Sequence, residues 1–232
     1  MRRADKTILS GDEQLFRKAE WISPDDLFGE NTVLRSPLIN SAFRLIIKKH
    51  TPRHKIAFLS VCTATRPYSL SKKWKKYIEE FGDKADLIVV SGGGIIPEQY
   101  WGSYPFLNYD APEPRNMSKS VLDKFGSGAL EDDDLWKWTL YERLLKFFKA
   151  HQYDYVLANF SHKTRARQPA TKSLMNLKIE GFIKDFILLP HVSTYNEAKS
   201  QGWNQNGKMF PDLHPVIFKE LKLHIEKAHM SK

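Results

Sequence analysis

The sequence predicts an α/β domain, a three-layer α/β/α sandwich around a central, mainly parallel sheet of about four strands. Two observations carry this. Four short apolar runs, at 55–62, 86–91, 153–159 and 186–191, read nearly continuously in Val, Ile, Leu, Phe and Ala, as strands covered on both faces do. They alternate with segments of helical period, the pattern that gives a sheet with helices packed on it.

Residues 1–35 are polar and broken by Pro24 and Gly29, with a short helical stretch possible at 12–21, and are read as an N-terminal extension lying on the core. The remainder, 36–232, is read as one domain, because 232 residues of which 41% are hydrophobic bury a full core. Ser36 and Pro37 resemble an N-cap and a first-turn proline, and Leu38, Ala42, Leu45 and Ile46 then recur at helical spacing up to His50. Thr51 and Pro52 end that helix and lead into the first strand, 55–62. Its loop contains Cys62, Arg66, Tyr68, Ser69 and Ser71 within ten residues, and Ser71 caps a helix over 72–81.

The second strand, 86–91, runs into Gly92, Gly93 and Gly94 and then an aromatic segment, 100–110. Residues 112–133 are rich in Pro, Gly, Ser and acid and read as a long excursion of the lid type. A helix is predicted from about 132 to 150, with Leu135, Trp138, Tyr141, Leu145 and Phe148 as its buried face. After the third strand comes a basic loop, 162–167, then the fourth strand, and a last helix at 215–229 that buries Val216, Leu221, Leu223 and Ile225.

Lys and Arg outnumber Asp and Glu by 36 to 27, a net charge of +9 distributed over several segments. That favours a polyanionic partner, nucleic acid first. A single cysteine excludes a disulfide framework and fits a reducing cytoplasm, and no apolar run approaches the length of a membrane span. Eight histidines and one cysteine show no His-Glu-x-x-His or Cys-x-x-Cys spacing, so neither a metal nor a cofactor is expected. Nor is there a Gly-x-Ser-x-Gly nucleophile elbow.

Loops leaving the C-terminal ends of parallel strands are where open α/β sheets hold ligands. The candidates are therefore the polar groups there. Asp110 closes an apolar aromatic segment, where a carboxylate needs a partner or a task; Arg66 or Arg115 is the expected partner. Lys163, Arg165 and Arg167 are the candidate phosphate contacts. His191 ends the fourth strand and can donate to a substrate oxygen or move a proton. The glycines at 92–94 permit close backbone approach to a ligand, and the aromatics of 100–109 offer faces for base stacking.

These residues also carry a resemblance. Cys62-x3-Arg66-Pro67-Tyr68-x2-Ser71-x2-Trp74 resembles the signature of the archaeosine synthase catalytic domain, which reads Pro-Cys-x3-Lys-Pro-Tyr-x2-Ser-x2-His. The 36–38 helix start, the Ile-Val-Val-Ser-Gly-Gly-Gly-Ile-Ile-Pro-Glu run and Tyr104-Pro105-Phe106-Leu107-Asn108-Tyr109-Asp110 are similar to further blocks of that family, in the same order. Val61, Arg66 and Trp74 depart from it: Arg66 keeps the charge of a lysine, and Trp74 exchanges an imidazole for a stacking surface.

The resemblance implies a uracil-DNA glycosylase-like fold with a pocket for a nucleobase and a small amine. Carried over by position, the matching residues are Cys62, Pro67, Tyr68, Ser71, Pro97 and Asp110; with Arg66 in the place of the family's lysine, the catalytic candidates are Cys62, Arg66, Tyr68, Ser71 and Asp110. The candidate base pocket, from these blocks and the strand-end residues together, is Gly93, Gly94, Pro97, Tyr104, Asn108, Trp74, Asn159 and His191. The expected activity is transfer of an amino acid or amine to an activated nucleobase, a 5-substituted pyrimidine in DNA first, as in phage DNA hypermodification. Its partners are nucleic acid and the amine, with no membrane. Lysine transfer to a tRNA deazaguanine, a glycosylase, and an inactive nucleic-acid-binding module are the alternatives.

Overall fold

The computed structural model describes residues 37–63, 65–103, 105–106, 133–202 and 211–230. Five strands form one sheet: β1 (Ile56–Val61), β2 (Asp86–Ser91), β3 (Gly94–Pro97), β4 (Tyr155–Asn159) and β5 (Asp185–Leu189). Their order is β3-β2-β1-β4-β5, and every pairing is parallel except β2 with β3. Among the described residues six α-helices accompany them: α1 (Pro37–Lys49), α2 (Lys72–Phe81), α3 (Asp133–Ala150), α4 (Arg167–Ile179), α5 (Val192–Ser200) and α6 (Pro215–Met230). The architecture is the expected three-layer α/β/α sandwich.

The chain steps from β1 to β2 in one direction across the sheet and from β2 back past β1 to β4 in the other. Because parallel crossovers are right-handed, α2 lies on one face and α3, with α4, on the opposite face. On the first face Phe58 meets Tyr77 and Phe81 of α2, with ring centroids 4.9 and 5.6 Å away, and Phe218 of α6 stacks on both rings from outside. On the second face α3 packs against α1 and α4. There the buried Arg143 donates to Asn40 Oδ1 at 2.6 Å and lies over the Phe43 ring; burial pulls its guanidinium down to about 10.

Local chemistry explains the boundaries. Ser71 Oγ accepts the Trp74 N–H at 3.1 Å and so starts α2. Strands β1 and β2 are buried on both faces, which is why their sequences do not alternate. The glycine run makes a hairpin: Gly92 and Gly93 form the turn, the Gly93 N–H reaches Ser91 Oγ at 3.0 Å, and Gly94, at φ 104°, begins β3 in a conformation that disfavours a side chain. The sheet thus has a fifth, antiparallel edge strand beyond the four read from apolar runs.

Three sequence readings need correction. The buried residues of α3 are Trp136, Thr139, Leu140, Arg143, Leu144, Phe147 and Phe148, so Phe148 is buried as expected, whereas Trp138 is 56% exposed. This helix carries large apolar groups on two sides, and the sheet and α1 take the stripe that periodicity did not single out. Leu223 of α6 is likewise exposed, Ile217 and Ala228 being buried in its stead. The basic loop ends sooner than expected, since Arg167 already opens α4, and α5 follows β5 directly; neither helix has a strong apolar period.

The end of the sheet where β1, β2 and β4 begin is closed by buried groups. Tyr153 donates to Asp86 Oδ2 at 2.9 Å, His50 Nε2 lies 2.7 Å from Tyr153 Oη, and the Arg53 N–H also reaches Asp86. Among the described residues no helix is long and apolar enough to cross a membrane.

Candidate functional site

Neighbours β2 and β4 lie on opposite sides of β1, and the chain leaves β1 and β4 in opposite directions. Between their C-terminal ends the flanking loops part, which is where a doubly wound sheet opens a crevice. The groups at this point come from β1, β4, the first turns of α2 and the turn Pro211–Leu213.

Asn159, the last residue of β4, is fully buried and pairs in register with Ser60 of β1. Its Nδ2 donates to Tyr77 Oη at 2.9 Å. Burial pushes the Tyr77 phenol well above its usual value, and the nearby Asp212 carboxylate adds to that, so Tyr77 stays protonated. Among the described residues the Asn159 Oδ1 has no hydrogen-bond partner, and neither has Thr63 Oγ1 just past β1. Two buried oxygens left unpaired at a switch point cost stability unless something else satisfies them.

Lys73 turns inward beside them. Its Nζ donates to the Val61 carbonyl at 3.0 Å and pairs with Asp212 at 2.5 Å, with 1% of its side chain exposed. A lysine in the first turn opposes the helix dipole, and Asp212 offsets this at the same place. By helical period Lys73 falls within the stripe of Trp74, Tyr77 and Phe81, a signal that it is buried. Lys73, Tyr77, Thr63 and Asp212 were not among the sequence candidates.

The structure redistributes the residues that were. Cys62 is half-buried, its N–H on the Val90 carbonyl at 3.1 Å. Arg66 donates to the Thr63 carbonyl and lies 4.3 Å over the Tyr68 ring. Tyr68 and Trp74 are fully buried, in one aromatic cluster with Trp101. Trp74 therefore offers no face to a base, and Ser71 serves as the α2 cap. Of the aromatic segment, Tyr100, Trp101 and Phe106 are core residues, Trp101 donating to the Ile96 carbonyl at 2.9 Å. Tyr104, Asn108, Asp110 and the 112–130 excursion lie outside the described residues.

Gly93 and Gly94 stay at the C-terminal edge of the sheet, but Pro97 pairs with Ile88, well down β2 and away from the crevice. The three phosphate candidates separate. Lys163 is exposed. Arg165 is buried, ion-paired with Asp133 and 4.0 Å over the Trp136 ring. Arg167 donates to the carbonyls of Phe160 and, at 3.2 Å, Leu189, bracing the ends of β4 and β5. Arg165 and Arg167 are thus committed to the fold. They read as free cations in sequence because a buried cation is not distinguishable there from a solvated one.

An aromatic face is exposed elsewhere. A cleft of about 610 Å³ between α3 and α4 is walled by Trp138, stacked on Tyr141 at 5.3 Å, with Lys172 and Met175 opposite.

His191 stands at the N-cap position of α5, its side chain half-exposed and making no capping hydrogen bond. Its Nδ1 lies 2.6 Å from Glu220 Oε1, its N–H reaches Glu220 Oε2 at 3.2 Å, and Thr194 Oγ1 donates to Glu220 Oε1 at 2.7 Å. His224, one turn on from Glu220 in α6, brings its ring to 5.3 Å from that of His191. One potential metal ligand atom from each of His191, Glu220 and His224 falls within 4.8 Å of the others. The sequence reading singled out His191 alone, because Glu220 and His224 of α6 meet it only through the tertiary fold.

Residues 41–122 match the family model described as Domain of unknown function (DUF5591). No curated protein matches the chain. Among solved structures, the crystal structure of AF0587, a protein of unknown function, superposes with a TM-score of 0.41 and 14% identity, covering 65% of this chain and 43% of that one. The chain spans less than half the length of that neighbour.

Proposed function

We propose that this chain is a nucleobase-modifying transferase of the archaeosine synthase-like kind, acting on DNA at the crevice between β1 and β4. The observation that carries the reading is Asn159 Oδ1: a fully buried amide oxygen without a partner, at the switch point of the sheet. An amide there suits the hydrogen-bonding edge of a base, and Thr63 Oγ1 supplies a second polar atom. A base reaches such a depth only when flipped from a duplex or presented on a single strand.

Lys163, on the exposed loop after β4, suits a phosphate contact, and the positive net charge favours the polyanion. In the reaction an amine attacks the activated carbon on the base, a C–N bond forms, and the bond to the leaving oxygen breaks with its electron pair going to pyrophosphate or a similar group. The proton released by the amine passes to a carboxylate, which the sequence resemblance assigns to Asp110. The blocks that carry that resemblance fall within or beside the matched range 41–122.

A second reading, a nucleic-acid-binding module without catalysis, is favoured by Trp74, which stands fully buried where the resembling family has an imidazole. Nucleoside mass spectrometry of DNA and tRNA from cells with and without the gene separates the two. The transferase reading expects a modified nucleoside in DNA that disappears with the gene. An unchanged profile in both nucleic acids overturns it, and retained DNA binding then leaves the module.

A further inference from the structure

We propose that His191, Glu220 and His224 form a binding site for a first-row divalent transition ion, Zn²⁺ foremost. Two imidazoles and one carboxylate are the donor set that suits zinc and its neighbours, and that magnesium and calcium, which take oxygen ligands, do not favour.

The placement is built by the fold. Glu220 and His224 stand four residues apart on α6, so both side chains project from one face of the helix, one turn apart. His191 enters from the end of β5, where it stands at the N-cap position of α5. The three ligand atoms lie within 4.8 Å of one another, whereas ligands around one tetrahedral zinc at about 2.0–2.1 Å are roughly 3.3 Å apart. The ligand atoms have to draw together by that difference, and the His191 side chain, half-exposed, is not held in place by burial.

Glu220 is held for the task. Its side chain is 11% exposed, and its carboxylate accepts the His191 N–H and the Thr194 hydroxyl in addition to facing His191 Nδ1. When an ion displaces the imidazole contact, the backbone N–H and the hydroxyl still orient the carboxylate, as outer partners do around protein-bound metals. The surrounding loops are cross-braced as well: the His162 ring meets that of Tyr195 edge-on at 5.2 Å, and Arg167 donates to the Leu189 carbonyl at 3.2 Å. Three protein ligands leave a fourth position open, the arrangement of zinc sites that bind water or an exogenous oxygen ligand.

The rival account is that Glu220 simply caps α5 and ties it to α6. The two are separated by titrating the chelator-treated full chain with Zn²⁺ in competition with a chromophoric chelator, and with Co²⁺ followed by its visible absorption. The expected result is one equivalent bound, with the intense absorption of a low-coordinate cobalt site. His224→Ala and Glu220→Gln are each expected to weaken binding at least about tenfold, and Thr194→Val about ten- to hundredfold. His54→Ala and His229→Ala, outside the group, are expected to leave it unchanged. Should a helix variant fail to fold, His191→Asn, at an exposed position, provides the same comparison. Equal affinity in the wild type and in His191→Asn or His224→Ala, or no saturable binding by the wild type, overturns the site. This outcome is independent of the nucleoside profile that tests the transferase reading.

Discussion

Lys73 Nζ lies 2.5 Å from Asp212 Oδ2 and 3.0 Å from the Val61 carbonyl, inside the protein. A buried ion pair is not strong evidence of net stabilisation, but removing one partner leaves the other charge uncompensated. Lys73→Met is therefore expected to cost about 3–5 kcal/mol in urea unfolding, and Lys73→Met combined with Asp212→Leu to regain most of the loss. A single variant as stable as wild type contradicts the pairing.

Asn159 and Tyr77 form a linked pair whose other polar atom is unpaired. Tyr77→Phe alone leaves Asn159 Nδ2 without an acceptor and is expected to cost about 1–3 kcal/mol. Tyr77→Phe with Asn159→Leu removes both partners, so its stability is expected to approach that of wild type. If Asn159 contacts a base, the same double variant loses the modified nucleoside while remaining folded. A folded double variant with full modification removes Asn159 from the site.

At the opposite end of the sheet, His50 and His151 meet edge-on with ring centroids 4.8 Å apart. Burial lowers His50, against the pull of Asp86, and burial with the neighbouring His50 lowers His151 to about 4. Both are depressed below the unfolded value of about 6.5. The unfolded chain therefore takes up protons first as pH falls, and stability is lost from about pH 6.5 downward towards pH 4. Melting temperatures at pH 7.5, 5.5 and 4.5 check this, with His151→Phe expected to shrink the decline. An equal decline in that variant assigns the acid sensitivity to other groups.

Lys163 and Arg165 are two residues apart and predicted to behave differently. Lys163→Gln is expected to weaken DNA binding across sequences and to lower the salt slope by about 1, the mark of a phosphate contact. Arg165→Gln, which removes the contacts to Asp133 and Trp136, is expected to lower the melting temperature and leave the slope unchanged. Binding isotherms at several salt concentrations with thermal melts decide between them; a slope change in the Arg165 variant reverses the assignment.

The strands β1, β2 and β4 were legible because burial on both faces forces an unbroken apolar run, a local property of the chain. Ser71 was legible for the same reason, since a cap acts over three residues. Strand β3 was not, because four residues after a glycine turn carry too little pattern to separate an edge strand from a loop. The buried face of α3 was not legible either: with large apolar groups on two sides, only the presence of the sheet and α1 selects Trp136 over Trp138.

By itself the sequence determined the layered α/β class, the position of the β1 loop and the cationic character of the chain, all of which follow from period, capping and composition. The tertiary structure decided which polar groups are accessible and which meet. It sends Lys73 inward to Asp212, commits Arg165 and Arg167 to bracing, buries Trp74, leaves Asn159 Oδ1 unpaired, and brings His191 to Glu220 and His224. Each of these depends on contacts between elements distant in sequence, where desolvation and pairing are set by the neighbours that the fold supplies.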